Sequence, residues 1–374
     1  MIWRLITGEY PPRIGGVADY TRLVASGLAA AGDEVHVWAP PPVGTEHDPG
    51  VTVRRLPSHF GPRSLAALNR EIARRPGHVL VQYVPHAFGL KAMNLPFCAW
   101  LYSIRRRGVI VMFHEVNFPF GRGQRLRHNA LGLVTRAMAA LAARSARRIF
   151  VATPAWEPHL RPYLPRESAI DWLPVPSNIP PLFDRAGLAA VRLRYSRGDG
   201  LILGHFGAYG CETARALTSF LPALMREHPR LSVLLAGKGS IEFRDRLLPR
   251  LSDMAARIHA TGAMTVAELS PVLAACDVAA QPFADGVSAR RCSAMAFLAH
   301  GVPVATNSGA ATEPIWVESK AVALAPGDDY KAMGRLVARM LADPGLRADY
   351  SARARELYAR RFDLSHTIAA LRSI

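Results

Sequence analysis

The stretch that most narrows the fold is residues 277–313, DVAAQPFADGVSARRCSAMAFLAHGVPVATNSGAATE. Its apolar runs, Asp277–Phe283 and Pro303–Asn307, are too uniformly hydrophobic to alternate a wet face with a dry one, so they read as strands buried on both sides. Between them lie a glycine-bearing loop, Ala284–Ser288, and a helix expected over Ala289–His300 that stops at Gly301-Val302-Pro303. Strand, helix and strand in this order form a crossover unit of a parallel sheet. The loop enters the helix through Gly286, Val287 and Ser288, where small residues leave backbone N–H groups free to face an anion. Arg290 and Arg291 are expected in the first helical turn, where a cation opposes the helix dipole and a bound phosphate would give it a purpose. Neighbouring helical residues point different ways, so only one arginine is expected to serve such a phosphate.

The same alternation runs along the whole chain. Met1–Thr7 reads as a first strand, followed by the loop Gly8–Gly16 and a helix over Val17–Ala31. A strand, a glycine-bearing loop and a helix permit phosphate binding at Gly15 and Gly16, although a plain turn explains two glycines equally well. Strands are expected at Glu34–Pro40, Val51–Pro57, His78–Val84 and Val109–Phe113, with a helix at Leu65–Arg74. His114 follows the last of these strands, at the edge where parallel α/β sheets collect ligands. It reads either as a substrate contact or as a structural histidine. Helices at Met93–Arg107 and Gln124–Ser145 carry arginines that fit a solvated face or a surface resting on an anionic partner.

Pro174–Pro181 holds four prolines in eight residues, which neither helix nor sheet accommodates, so the first domain ends there. The expected division is residues 1–178, a linker at 179–186, a second domain at 187–360 and a closing helix at 361–374. In the second half, strands at Leu201–Phe206 and Leu231–Ala236 run into glycine turns at Gly207 and at Gly237-Lys238-Gly239, and Ile258–Thr261 runs into Gly262. Lys238 supplies either a ligand charge or only a solvated turn.

A chain of 374 residues is long for one core and suits two. The net charge of +17 directs attention to anionic partners, and the excess is uneven: residues 1–180 hold 22 basic and 11 acidic side chains. Zinc, helix-turn-helix and aromatic-basic nucleic-acid motifs are absent, so no nucleic-acid partner is expected. The four cysteines have no metal-like spacing and read as reduced, which fits a cytoplasmic protein. The first residues look like a strand rather than a signal peptide, and no apolar run is long enough to span a membrane.

Taken in order, the Gly15-Gly16 loop, the histidine after a strand, the proline linker, the Phe206-Gly207 turn, the Gly237-Lys238-Gly239 turn and the 277–313 stretch resemble the family 4 glycosyltransferases of the GT-B fold. The ending Ala299–Thr306 with Gly309 and Glu313 follows that family's pattern closely. The resemblance implies two Rossmann-like, doubly wound α/β domains facing across a cleft, and a last helix that crosses back to the first domain. It implies a retaining transfer from a nucleotide-diphosphate sugar, UDP- or GDP-linked, to a glycan, lipid-linked or small-molecule acceptor, with no metal and no cofactor. Peripheral association with an anionic membrane is compatible with the basic first domain.

By the same resemblance, His114 and Asp285 would contact the transferred sugar, and Gly15, Gly16 and Gly286–Ser288 would lie by the donor phosphates. Gly207, Gly237, Lys238, Gly262 and Ser293 would line the nucleotide. The sequence departs from the family in two places. Ser293 stands where a glutamate would hold the ribose, and Gly207-Ala208-Tyr209-Gly210 lacks the arginine and lysine of the first turn of the second domain. Arg290 and Arg291 are the substitutes in reach of a phosphate. The departures keep alternatives open: a GT-B protein that has lost catalysis and assists an active partner, or a nucleotide-sugar epimerase on the same fold.

Overall fold

The computed structural model describes residues 1–13, 15–41, 48–196 and 198–374. Ile14, within the expected phosphate loop, lies outside them. The backbone divides into two units, Met1–Val175 with Leu364–Ile374, and Pro176–Asp363.

In the first unit the strands are β1 (Ile2–Thr7), β2 (Glu34–Ala39), β3 (Val51–Arg55), β4 (His78–Tyr83), β5 (Val109–Phe113), β6 (Arg148–Val151) and β7 (Ile170–Trp172). Its helices are α1 (Gly16–Ala30), α2 (Pro62–Arg74), α3 (Leu95–Ser103), α4 (Leu126–Ser145) and the single turn α5 (Glu157–Leu160). The strands form one parallel sheet in the order β3-β2-β1-β4-β5-β6-β7, which winds outward in both directions from the β1/β4 pair. Both faces are covered, so β5 is buried along its length, as a strand under helices on both sides must be. An aromatic knot of Phe60, Phe88 and Phe97, with ring centroids 4.3–5.1 Å apart, fills one side. Several arginines of this unit lie along aromatic faces, Arg105 over Tyr102 and Arg136 over Phe120.

The second unit repeats the plan. It contains α6 (Arg185–Tyr195), β8 (Ile202–Phe206), α7 (Cys211–Glu227), β9 (Ser232–Ala236), α8 (Ser240–Leu247), β10 (Ile258–Ala260), α9 (Val266–Ala274) and β11 (Val278–Gln281). There follow α10 (Cys292–Ala299), β12 (Val304–Asn307), α11 (Pro314–Glu318), β13 (Ala323–Ala325), α12 (Tyr330–Ala342) and α13 (Pro344–Leu357). The parallel order is β10-β9-β8-β11-β12-β13. Two doubly wound, Rossmann-like α/β units are thus present, as the alternating pattern requires.

Beyond this unit, the last helix, α14 (Leu364–Arg372), belongs to the first unit and packs along α1. A Cβ on Gly27 would meet Ile368 Cδ1 at 2.7 Å, so glycine there sets how closely the two helices approach. The fully buried Asp33 carboxylate accepts from the amino group of Met1 at 2.7 Å and forms an ion pair with Arg372, whose Nε lies 3.2 Å from its second oxygen.

Two local departures from the sequence reading matter. The helix expected from Ala289 begins at Cys292, with Arg291 as its capping residue in a non-helical conformation. Arg290 and Arg291 are therefore in the entering turn and outside the first helical turn. A helix at Arg185–Tyr195, which the proline-rich approach does not suggest, is capped by Asp184 accepting from the Gly187 N–H at 2.7 Å.

Candidate active site

In the second unit, the loop between β11 and α10 is held from below by two side chains. Asn307, at the end of β12, accepts from Phe283 N at 2.8 Å and donates to Phe283 O at 2.7 Å and Gly327 O at 2.9 Å. Glu313, 5% exposed, accepts from Ala289 N and from Trp316 Nε1 at 2.8 Å. Gly286 has φ +87°, and a Cβ there would lie 2.3 Å from Gly309 N. Only glycine fits both that conformation and that contact. Val287 N donates to Asn307 O at 2.9 Å, and Ser288 is fully buried.

On this platform both arginines turn toward one carboxylate. Arg291 pairs with Asp285, and Arg290 Nη2 stands 4.0 Å from the other Asp285 oxygen. The Arg291 guanidinium also lies over the Phe283 ring at 4.9 Å, and burial lowers its pKa below the ordinary value. The expectation that adjacent arginines diverge holds for a helix; in the turn that precedes α10 they converge. Each keeps about 30% of its side chain in solvent, 29% for Arg290 and 31% for Arg291, so a second anion can reach them.

Next to this platform, the carboxyl ends of β8 and β9 meet. A Cβ on Gly237 would lie 2.8 Å from Gly207 O, and one on Gly207 would lie 3.7 Å from the Ser293 side chain. Ser293 Oγ donates to Gln281 Oε1 at 3.3 Å. Gly207, Gly237 and Ser293, singled out separately in the sequence, are thus brought together, and Gln281 joins them. Gln281 is fully buried and, among the described residues, its Nε2 has no hydrogen-bond partner. Gly262 connects through Ser240, whose hydroxyl accepts its N–H at 2.9 Å. Lys238 is exposed beside them. Beneath, His205 donates from Nδ1 to Ala280 O at 2.8 Å, and burial pushes its pKa down to about 4.

In the first unit, His114 stands just past β5 and is 7% exposed. Its Nε2 meets Gln82 Oε1 at 2.8 Å, the Tyr20 ring packs edge-on at 4.8 Å, and Trp156 Nε1 donates to its carbonyl at 2.9 Å. Tyr20 in turn hydrogen-bonds Thr367 of α14. Gly15 caps α1, and a Cβ there would lie 2.7 Å from Glu9 Oε2. A carboxylate, and not open space, therefore faces this glycine, while Gly16 has nothing near its Cβ position.

Gln82 and Gln281 are the residues that sequence reasoning missed. Each is the polar residue of an apolar strand, and nothing in the local pattern separates a ligand-facing glutamine from one that serves the sheet. Among the described residues no group of three or more His, Cys, Asp or Glu side chains is placed to hold a metal ion, and no helix is long and apolar enough to cross a membrane.

Comparison with known proteins gives two family matches. Residues 15–176 match the model described as a glycosyl transferase 4-like domain, and residues 200–343 match that of glycosyl transferases group 1. Among curated proteins, none matches in sequence. Solved structures share the fold. Anabaena HepE in complex with UDP has a TM-score of 0.72 at 15% identity, over 100% of both chains. A glycosyltransferase from Rickettsia africae has a TM-score of 0.72 at 14% identity, over 100% of this chain and 97% of that one. WaaG, a glycosyltransferase involved in lipopolysaccharide biosynthesis, has a TM-score of 0.65 at 14% identity, over 97% of this chain and 96% of that one.

Proposed function

Because this chain belongs to the family 4, or group 1, glycosyltransferases of the GT-B fold, retaining enzymes that draw their sugar from a nucleotide donor, we propose that it moves a sugar from UDP to a hydroxyl of a glycan, lipid-linked or small-molecule acceptor. The choice of UDP is supported by the HepE structures, described as complexes with UDP and with UDP-glucose.

The observation that carries the reading is the pair of guanidiniums converging beside the amino end of α10. A departing diphosphate gains negative charge as the bond to the sugar breaks, so fixed cations aimed at it lower the barrier more than they favour the bound substrate; the N–H groups of Gly286, Val287 and Ala289 are spent on bonds within the protein and leave this work to the arginines. Arg290 and Arg291 take the role that cations after β8 would otherwise fill, and forked guanidiniums match phosphate oxygens. Once the diphosphate engages them, Asp285 is released to accept hydrogen bonds from the sugar hydroxyls. Gln281 and Ser293 offer an amide and a hydroxyl where a ribose would lie. His114, held by Gln82, keeps a role toward the transferred sugar on the family resemblance alone.

In the retaining step, the acceptor oxygen bonds to the anomeric carbon on the face that the diphosphate leaves. The anomeric carbon–oxygen bond breaks, and the acceptor's proton passes to a departing phosphate oxygen. No group of the chain needs to change its own protonation for atoms and charge to balance.

The test is a thermal-shift screen against UDP, GDP, dTDP, ADP and CMP, with wild type beside the Arg290→Ala, Arg291→Ala double variant. A ligand at 100 times its Kd that binds only the folded state adds about 2.7 kcal/mol. Stabilisation by UDP alone, lost in the variant, is the expected result. A shift with a different nucleotide reassigns the donor. No shift with any of them favours the partner-protein alternative, because Asp285 would then be the permanent counter-ion of both arginines.

A further inference from the structure

Asp285 occupies the two cations that a diphosphate needs. Its carboxylate pairs with Arg291, and Arg290 Nη2 lies 4.0 Å from its second oxygen, so one negative charge answers two guanidiniums. The other carboxylate beside the loop, Glu313, has no freedom to do this: it is 5% exposed and committed to Ala289 N and Trp316 Nε1. Asp285 keeps 41% of its side chain in solvent. Its main chain, moreover, is held without help from that side chain. Ala311 N donates to Asp285 O at 2.9 Å, Gly286 N donates to Phe283 O at 3.2 Å, and a Cβ on Gly309 would lie 2.5 Å from Asp285 C. The carboxylate is therefore able to leave the arginines while the loop stays in place.

A diphosphate that captures both guanidiniums leaves Asp285 as a negative charge with neither counter-ion nor donor, next to newly arrived negative charge, which is unfavourable. A nucleoside diphosphate alone brings nothing to relieve it. A nucleotide sugar does, because its hydroxyls are neutral donors and form strengthened hydrogen bonds to an ionised acceptor. We propose that Asp285 exchanges between the two arginines and the sugar hydroxyls, and that this exchange makes the site prefer the intact nucleotide sugar over the nucleoside diphosphate left after transfer. The carboxylate is a resident competitor of the product. With the sugar gone, it returns to Arg290 and Arg291 and hastens departure of the diphosphate, a step that often limits turnover. The inference rests on the transferase reading and deepens it, from which groups hold the donor to how the site distinguishes donor from spent donor.

Isothermal titration calorimetry on the full chain tests this, with UDP and with UDP-glucose, UDP-galactose and UDP-N-acetylglucosamine, the tightest of the three sugars being taken for comparison. Where the thermal-shift screen selects another nucleotide, its diphosphate and sugars replace these. UDP carries no sugar, so its affinity reports the competition alone. In Asp285→Asn and in Asp285→Ala, UDP is expected to bind about fivefold more tightly, the upper size of a part-exposed ion pair. The nucleotide sugar is expected to bind no more tightly than it does to wild type, so the preference for it falls about fivefold. A carboxylate that only supported the loop would weaken both ligands when removed, and near-ultraviolet dichroism matching wild type separates a lost competitor from a lost fold. UDP binding that is unchanged or weaker in both variants overturns the proposal. So does an equal gain for UDP and for the nucleotide sugar, which would make the carboxylate a competitor blind to the sugar. Either of these results leaves the transferase reading standing, whereas failure of every nucleotide to bind wild type removes that reading and this exchange with it.

Discussion

His205 shows how one buried side chain sets a pH dependence. Its Nδ1–H is committed to Ala280 O and its Nε2 has no partner among the described residues, so protonation would strand a charge inside the sheet. The pKa falls from 6.5 to about 4. With a depressed folded pKa, the unfolded chain takes up the proton first as pH drops. The histidine's contribution is therefore whole above pH 6.5 and is lost between there and about pH 4, a span worth ~3 kcal/mol. His205→Asn, which keeps a donor near Ala280 O, should flatten that part of the stability curve in urea titrations across this range; an unchanged slope would contradict the assignment. His59, His78 and His300, also lowered by burial, supply the slope that remains. At this scale the sequence is legible where a residue type has one physical use, as with Gly286, which the turn demands. It is silent where a residue has several, as with Gln281, whose amide nitrogen has no partner among the described residues, which only the packing of neighbouring strands reveals.

The loop into α10 illustrates the limits of reading elements. Residues 289–300 have the composition of a continuous helix, and alanine and arginine both favour one. The first three are nevertheless spent on other bonds: Ala289 N goes to Glu313, and Arg291 adopts φ −86°, ψ 82°. A carboxylate more than twenty residues downstream thus decides where the helix starts, and no local propensity encodes that. Glu313→Ala leaves the Ala289 N–H and the Trp316 indole N–H buried without an acceptor. The expected cost is about 3 kcal/mol, one to two per stranded donor, together with loss of the nucleotide shift because the arginines are no longer held. Denaturant unfolding with and without UDP reads both effects; a stable variant that still binds UDP would show that the loop stands without Glu313. The helix at Arg185–Tyr195 is the opposite case. Only its Tyr195 is buried, and the fork from Arg192 to Asp277, Ala275 O and Gly200 O holds it in place. Periodicity has little to report when one arginine anchors a helix. Most strands, in contrast, are readable to within a residue or two where burial on both faces leaves an apolar run that needs no context, while the three-residue β13, which the sequence reading does not include, is too short to leave one.

For the molecule as a whole, the alternating pattern is enough to give two parallel sheets, whereas the placement of the last helix depends on contacts from opposite ends of the chain. Leu364, Thr367, Ile368, Leu371 and Arg372 belong with α1 and Asp33 in the first unit. Removing residues 364–374 should uncover the Gly27 face of α1, strip Asp33 of one counter-ion and take Thr367 from Tyr20. Calorimetry should then show the transition of the first unit moving down by several degrees while that of the second stays, since a loss of ~1 kcal/mol moves a domain of this size by 2–4 °C. A single unshifted transition would mean that α14 contributes nothing to the first unit. The same arrangement has a consequence during synthesis on the ribosome. The first unit emerges first, yet its surface is closed by residues made after the whole of the second. It must wait, with one helix face bare, until the whole second unit has passed the exit tunnel. Completion of the first unit is in this way a signal that the second unit has been made.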